Sequence, residues 1–394
     1  MAGFRAGHRG RDAALGALLW LWCLGQPHPA RAKTFADNLS TSFEQFFARS
    51  LAQSIGRSLP ITAASSGVVF VFDPATGAFT RQPAVTGQLF LERATPIGRG
   101  KLNLSFNYQR VDIDTLEGAD LGNLSDTAFP VVDPSTMRAF KIPRFGIKLD
   151  TQEVTASATY GVTDDLEVNL TVPVVYSDFG LDIRVVDVET GHPQEAHVRS
   201  SKLGVGDVFL RGKYRLLAQE WATVAIGLVT RLPSGNQDNF QGTGTLEFAP
   251  MLYVSRASVP VTSWLRLTPY FNGGVNFDVD EVDGSEGRYG VGLDGALGER
   301  ATAAVAFLAR QPFQRVGRPG LFDAPRVNPI TGQGFVASLF GIENKRPDFF
   351  DLSIGGRVNL WRDTLIGFAN VIVPLNRDGF RSDAIPTVGF EVIL

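Results

Sequence analysis

The sequence predicts an all-β protein: a closed antiparallel transmembrane β-barrel of about twelve strands, preceded by an N-terminal amphipathic helix. Three observations favour this fold class. Apolar and polar residues alternate with a period of two from residue 101 to the end. Short and long connections alternate along the same region. Aromatic residues stand near the ends of the alternating segments.

Residues 1–32 have the pattern of a secretory signal. A basic start precedes the apolar run AALGALLWLWCLG, and the segment ends in Ala30-x-Ala32. We expect cleavage before Lys33 and export from the cytoplasm. The only cysteine, Cys23, lies in this segment, so the mature chain is expected to have no disulfide.

Residues 33–100 form a distinct region before the barrel. Apolar residues recur there at helical spacing, and Thr41-x-x-Glu44 matches a capping box, which predicts an amphipathic helix ending at Pro60. This helix either plugs the barrel, lies at the membrane face or packs a small core of its own. The stretch SGVVFVFDPATGAFTRQ predicts a hairpin, which either stands alone or raises the strand count to fourteen.

Residues 101–394 carry the alternation. In KLNLSFNYQ, for example, Leu102, Leu104 and Phe106 share one face, while the polar residues share the other. Each segment is long enough to cross a bilayer as a tilted strand. The predicted strands are near 101–113, 148–162, 166–180, 203–217, 221–233, 243–256, 263–280, 286–298, 300–312, 348–360, 363–375 and 385–394.

The long connections are rich in Gly, Pro, Asn and Asp, as expected of outer loops opposite short periplasmic turns. The tract RLPSGNQDNFQGTG (231–244) is the third of them. It lacks the lysine and following helix of a phosphate loop and the ligand spacing of a calcium loop, so we interpret it as a connector. Pro233 is expected to end the preceding strand because it cannot donate to the ladder.

A soluble β-sandwich also alternates, but its strands are usually shorter. Aromatic residues near the strand ends instead fit interfacial girdles of a barrel. These residues are Tyr108, Tyr160, Tyr176, Trp221, Trp264 and Trp361. The C-terminal TVGFEVIL resembles the assembly signal of outer-membrane barrels, although it ends in Leu394 where Phe or Trp is usual.

The polar strand faces predict a lumen lined with charges of both signs. These signs nearly balance, so the pattern does not favour an acidic sugar or a phosphate as substrate. We expect most of these charges to pair and brace the lumen. The predicted pore-lining residues are Arg211, Lys213, Arg231, Arg266, Arg288, Asp207, Glu247, Asp294, Asp351 and Arg357.

No catalytic, cofactor or metal site is predicted. Outside the signal segment the histidines are His192 and His197, in the second outer loop with Glu195, and a solvated pair is favoured over a metal site. No histidine falls on a predicted strand, so a serine nucleophile on the barrel wall would lack its base. The formal net charge of −3 indicates no nucleic-acid partner.

Several tracts resemble the family of outer-membrane transporters grouped with the meta-pathway phenol-degradation proteins. They are FDPATGAF (72–79), ERATPIGRGKLNLSFNYQ (92–109), GDVFLRGKYRLL (206–217) and LPSGNQDNFQGTG (232–244). This resemblance covers roughly residues 67–394. It implies a barrel that admits small, often aromatic or hydrophobic compounds, and it assigns no contact residues.

We therefore expect a passive channel for small organic molecules, gated by the long loops 114–147 and 313–347. Its expected partners are outer-membrane lipid, the barrel-assembly machinery and small organic solutes. Two alternatives remain: a closed structural or adhesive barrel, and a rim hydrolase that uses His192 or His197.

Overall fold

The computed structural model describes residues 69–73, 78–82, 90–124, 131–132, 139–187, 190–219, 221–280, 282–298, 300–327, 334–361 and 364–394. The predicted signal segment and amphipathic helix lie outside the described residues. Within the described ranges, no helix is long and apolar enough to cross a membrane.

Twelve antiparallel strands pair in a closed ring, which confirms the predicted barrel. Each strand pairs with the next in sequence, and the last pairs with the first, for example Gly389 with Asn107. The strands are β1 (Leu102–Ile113), β2 (Ala139–Gly161), β3 (Leu166–Asp187), β4 (Val208–Ala218), β5 (Ala222–Leu232), β6 (Glu247–Arg256), β7 (Leu265–Asp278), β8 (Glu286–Leu297), β9 (Ala301–Pro312), β10 (Phe349–Trp361), β11 (Leu365–Pro374) and β12 (Ile385–Ile393).

The outer face of the barrel is apolar. In β8, Val291 is 54% exposed, whereas Asp294 on the opposite face is 1% exposed. The period of two therefore sends apolar side chains to the membrane and polar ones to the interior. The predicted girdle residues are all exposed, and Trp221, Trp264 and Trp361 lie at the rim with the short turns. This is the architecture of a bacterial outer-membrane barrel.

Ring strands extend into two predicted outer loops, which corrects the boundaries of these loops. β2 begins at residue 139 instead of 148, and β3 continues to 187 instead of 180. The predicted fourth strand, 203–217, divides at Gly206 and Asp207 into Pro193–Val205 and β4. The second half of β3, from Val174 to Val186, pairs with β2 on one side and with Pro193–Val205 on the other. These three segments form a small sheet that projects beyond the long-loop end of the barrel.

Two further hairpins lie outside the ring. Strands Val69–Asp73 and Ala78–Gln82 pair only with each other, which confirms the predicted hairpin and gives a twelve-stranded, not a fourteen-stranded, barrel. Strands Val316–Val327 and Gly334–Lys345 form a second hairpin within the predicted loop 313–347.

The last outer loop folds back over the barrel opening. Its strand Phe380–Arg381 pairs with Thr115–Leu116, which in turn pairs with Ala119–Asp120. The outer loops after β1 and β11 are thereby joined into a three-stranded cap.

The tract RLPSGNQDNFQGTG is a connector between β5 and β6, as predicted. β5 ends at Leu232, directly before Pro233, and a short 3₁₀ turn covers Gln237–Asn239. The loop turns inward, because the backbone N–H groups of Gly235 and Thr243 both donate to the carboxylate of Asp207, at 2.9 and 2.8 Å.

Candidate functional site

A short segment before β1 crosses the barrel interior. Residues 90–97, which we name the inner strap, contain Leu91, Glu92, Arg93, Ala94 and Ile97, and each of these is at most 7% exposed. The strap follows no regular secondary structure. Its backbone polar groups must therefore find partners on the barrel wall.

Side chains of several barrel strands hold the strap backbone. Asn272 of β7 accepts from the N–H of Glu92 at 2.6 Å and donates to its carbonyl at 2.7 Å. Ser255 of β6 accepts from the N–H of Ala94 at 2.9 Å. Glu167 of β3 accepts from the N–H of Ile97 at 2.6 Å. Side chains of the wall thus form the hydrogen bonds with the strap backbone that a neighbouring strand would form in a sheet.

Two ion pairs anchor the strap side chains. Arg93 contacts Asp294 of β8 at 2.7 Å, and the hydroxyl of Tyr270 donates to the same carboxylate at 2.9 Å. Lys213 of β4 lies 2.6 Å from Glu167 and 3.4 Å from Glu92. Removing one member of such a buried pair leaves a charge without its counterion, which typically costs about 3–5 kcal/mol.

The point where the strap enters the barrel requires glycine. Gly98 and Gly100 have φ angles of 94° and 71°, which other residues rarely adopt. A Cβ on Gly161, at the end of β2, would coincide with the backbone carbonyl of Gly98. The chain therefore approaches the short-turn rim at a distance that only glycine permits.

A cavity of about 200 Å³ lies on the other side of the strap, in the half of the barrel below the long loops. The strap residues Phe90, Leu91 and Glu92 form its floor, and Phe380, Arg381 and Ser382 of the cap border it above. Apolar side chains and guanidinium groups share its wall. The main wall residues are Val111, Ile113, Val229, Ala249, Leu308 and Ile372, with Arg211, Arg231, Arg288, Arg310 and Asp351.

Most predicted pore-lining residues have their side chains on the interior face. Arg211, Lys213, Arg231, Asp207, Glu247, Asp294 and Arg357 are buried, whereas Arg288 and Asp351 are partly buried. Arg266 is different: it is exposed at the short-turn rim and is not brought to the cavity. The cause is its position next to the first residue of β7, where the wall ends.

Many of these charges pair, as expected. Arg231 lies 2.7 Å from Asp207, Arg357 2.6 Å from Glu391, and Arg288 2.7 Å from Glu286. The partner Glu286 and the strap residues Glu92 and Arg93 are not among the residues that the sequence singled out as pore-lining. One feature of the sequence could have indicated the strap. The tract ERATPIGRG is charged but does not follow the alternation of apolar and polar residues that begins at residue 101.

The histidines lie at the projecting sheet: His197 is on one of its strands, and His192 directly precedes that strand. His192 is exposed, and its Nδ1 is 3.1 Å from the carbonyl of Thr190. His197 lies on the strand Pro193–Val205, which corrects the expectation that no histidine is on a strand. It shares a 2.6 Å hydrogen bond with Asp182, and this bond lowers the pKa of that partly exposed carboxyl. Among the described residues, no group of three or more His, Cys, Asp or Glu side chains is arranged to hold a metal.

The sequence matches no protein-family model and no curated protein. Among solved structures, the barrel is similar to an outer-membrane channel from Pseudomonas putida F1, with 11% identity, a TM-score of 0.44, and coverage of 76% of this chain and 98% of that one. The NanC porin has 8% identity, a TM-score of 0.38, and coverage of 74% and 98%. The CymD monoaromatic hydrocarbon channel has 8% identity, a TM-score of 0.34, and coverage of 76% and 89%. Similarities this distant say nothing about a substrate, and the barrel is established by its own strand pairing.

Proposed function

We propose that the protein is a passive outer-membrane channel for small organic molecules with an apolar, for example aromatic, body. The observation that carries this proposal is the cavity between the cap and the inner strap. Its volume of about 200 Å³ suits a single small molecule, since an apolar cavity of about 150 Å³ is enough to bind benzene. The family resemblance of the sequence supports the same class of solute.

Entry from the long-loop side depends on the cap. Backbone N–H groups of Asp114 and Glu117 donate to the carbonyls of Arg381 and Gly379, both at 3.0 Å. Glu117 also lies 3.5 Å from Lys345, at the end of the hairpin in loop 313–347. The loops after β1, β9 and β11 therefore act together, and opening them exposes the cavity.

Exit toward the short-turn rim depends on the inner strap. A solute in the cavity rests on Phe90, Leu91 and Glu92, so it passes only where the strap moves aside or leaves a gap. Because the strap is held by polar contacts to the wall, its displacement exchanges buried ion pairs for hydrated ones. We infer that these anchors set the conductance of the channel.

The experiment is single-channel recording in planar bilayers with the full chain, its Arg93→Gln variant and an Arg99→Gln control. Arg93 is buried against Asp294, whereas Arg99 is exposed at the entry of the strap. We expect small discrete conductances for the full chain, a larger mean conductance for Arg93→Gln, and no change for Arg99→Gln.

Absence of conductance in all three proteins, together with no solute flux into liposomes, would overturn the channel proposal. A closed structural barrel would then be the better account. The rim-hydrolase alternative has its own test, in which hydrolytic activity that disappears with His197→Ala would support it.

A further inference from the structure

The cavity wall combines an apolar surface with guanidinium groups. Arg211, Arg231, Arg288, Arg310 and Arg381 all border it, whereas the carboxylates that border it are Glu92 and Asp351. Both carboxylates already contact cations: Glu92 lies 3.4 Å from Lys213, and Asp351 lies 2.7 Å from Arg381. The acidic partners of Arg231 and Arg288 do not border the cavity; they are Asp207, Glu247 and Glu286. The wall therefore offers mainly hydrogen-bond donors.

Two of the arginines converge on one aromatic ring. The guanidinium carbons of Arg310 and Arg381 lie 4.6 and 4.7 Å from the ring centre of Phe349. This arrangement stacks both side chains on the ring and keeps two like charges close together. Burial lowers the pKa of Arg381, and the charge of Arg310 lowers it further, while Asp351 acts in the opposite direction. The Nε of Arg381 is buried and has no hydrogen-bond partner among the described residues.

These donors decide between two kinds of solute. A neutral hydrocarbon that fills the cavity offers no acceptor to the guanidinium groups, so any N–H group that it shields from water loses a hydrogen bond. A carboxylate is an acceptor on both oxygens and matches the planar fork of an arginine. The apolar wall accommodates the remainder of the same molecule.

We propose that the solute bound in this cavity is a small organic acid in its anionic form, with an apolar or aromatic body and a carboxylate directed at Arg310 and Arg381. This inference rests on the proposed channel function and specifies its substrate class. The sequence analysis found nearly equal numbers of positive and negative charges over the whole lumen. The wall of this one cavity has more arginines than carboxylates, so the expectation from the whole lumen does not apply to it.

The test is calorimetric binding of sodium benzoate and of benzyl alcohol to the full chain in detergent. The two probes share the aromatic ring and differ in the anionic group. We expect benzoate to bind at least tenfold more tightly than benzyl alcohol. We expect Arg310→Gln to weaken benzoate about tenfold and to leave benzyl alcohol unchanged.

A second variant addresses the ion pair. Asp351→Asn combined with Arg381→Gln removes both charges at once, so neither partner is left buried alone, and it too should weaken benzoate selectively. The matched control is Arg256→Gln at the last residue of β6, which is exposed at the opposite rim and should change neither affinity. The gel shift of the folded barrel on heating verifies that every variant is folded.

Equal or tighter binding of benzyl alcohol would overturn the inference, as would binding of neither probe or benzoate affinity that survives both variants. The bilayer recordings judge the channel separately. Conductance together with preference for the neutral probe leaves the channel and removes the anionic substrate, whereas silence in bilayers removes the channel itself.

Discussion

Asp207 shows how one buried carboxylate organises the long-loop side of the barrel. It is 2% exposed, pairs with Arg231 at 2.7 Å and accepts from the N–H groups of Gly235 and Thr243. A Cβ on Gly242 would lie 2.4 Å from an oxygen of the same carboxylate, so a larger residue there would displace Asp207. The sequence placed Asp207 and Arg231 on the interior face by parity alone. The sequence did not predict that the two residues form an ion pair. The alternation along a strand shows which face a side chain lies on, but not which residue of another strand it contacts.

We expect Asp207→Ala to lower the free energy of unfolding by about 3–5 kcal/mol, since it removes the buried carboxylate that pairs with the guanidinium of Arg231. The measurement is denaturant unfolding of the barrel in lipid vesicles. Asp238→Asn is the matched control, because Asp238 is an exposed acid of the same loop. Its effect should be within about 0.5 kcal/mol. Equal stabilities of the two variants would contradict this role of Asp207.

The third outer loop packs against the projecting sheet. Phe240 is 1% exposed and meets Phe179 of β3 edge to face, with ring centres 5.6 Å apart. Gln241 donates to the carbonyl of Val175 at 3.4 Å. The loop thereby covers the interior face of β3 beyond the point where β4 turns away. The sequence predicted its turn residues but gave no sign of this docking, which depends on a strand about 60 residues earlier.

Phe179→Ala is expected to cost about 3–5 kcal/mol of stability and to release the loop, because a large buried ring leaves a cavity. Hydrogen exchange of residues 233–246 reports the release. Phe313→Ala serves as control, since Phe313 is 54% exposed. A double-mutant cycle with Phe240→Ala should give a coupling of about 0.5–1.5 kcal/mol for the ring pair. A coupling near zero would mean that the rings do not hold the loop.

Along the whole barrel, alternate side chains of each strand face the membrane and the interior. The middle of β8 places Val291 toward the membrane and Asp294 toward the strap. The same alternation holds in neighbouring strands, so the apolar band surrounds the ring. The stability of the molecule therefore depends on which face a charge occupies.

We expect Val291→Arg to destabilise the lipid-embedded barrel by about 2–4 kcal/mol, and Leu297→Arg, at the short-turn end of the same strand, by about 0–1 kcal/mol. Unfolding titrations in phosphatidylcholine vesicles measure both. A larger loss for Leu297→Arg would place the membrane midplane elsewhere along β8.

The sequence by itself determined the barrel, the strand count to within one hairpin, the faces of most charged residues and the connector role of RLPSGNQDNFQGTG. Each follows from local rules: a period of two, turn residues and proline. The tertiary structure decided the ion-pair partners, the course of the inner strap, the extension of β2 and β3 and the arginine-rich wall of the cavity. These depend on contacts between residues far apart in sequence, such as Glu92 with Asn272. The strap has no regular secondary structure, so its sequence has no helical or strand periodicity from which its position could be predicted. Its position is known only from its contacts with the closed barrel around it.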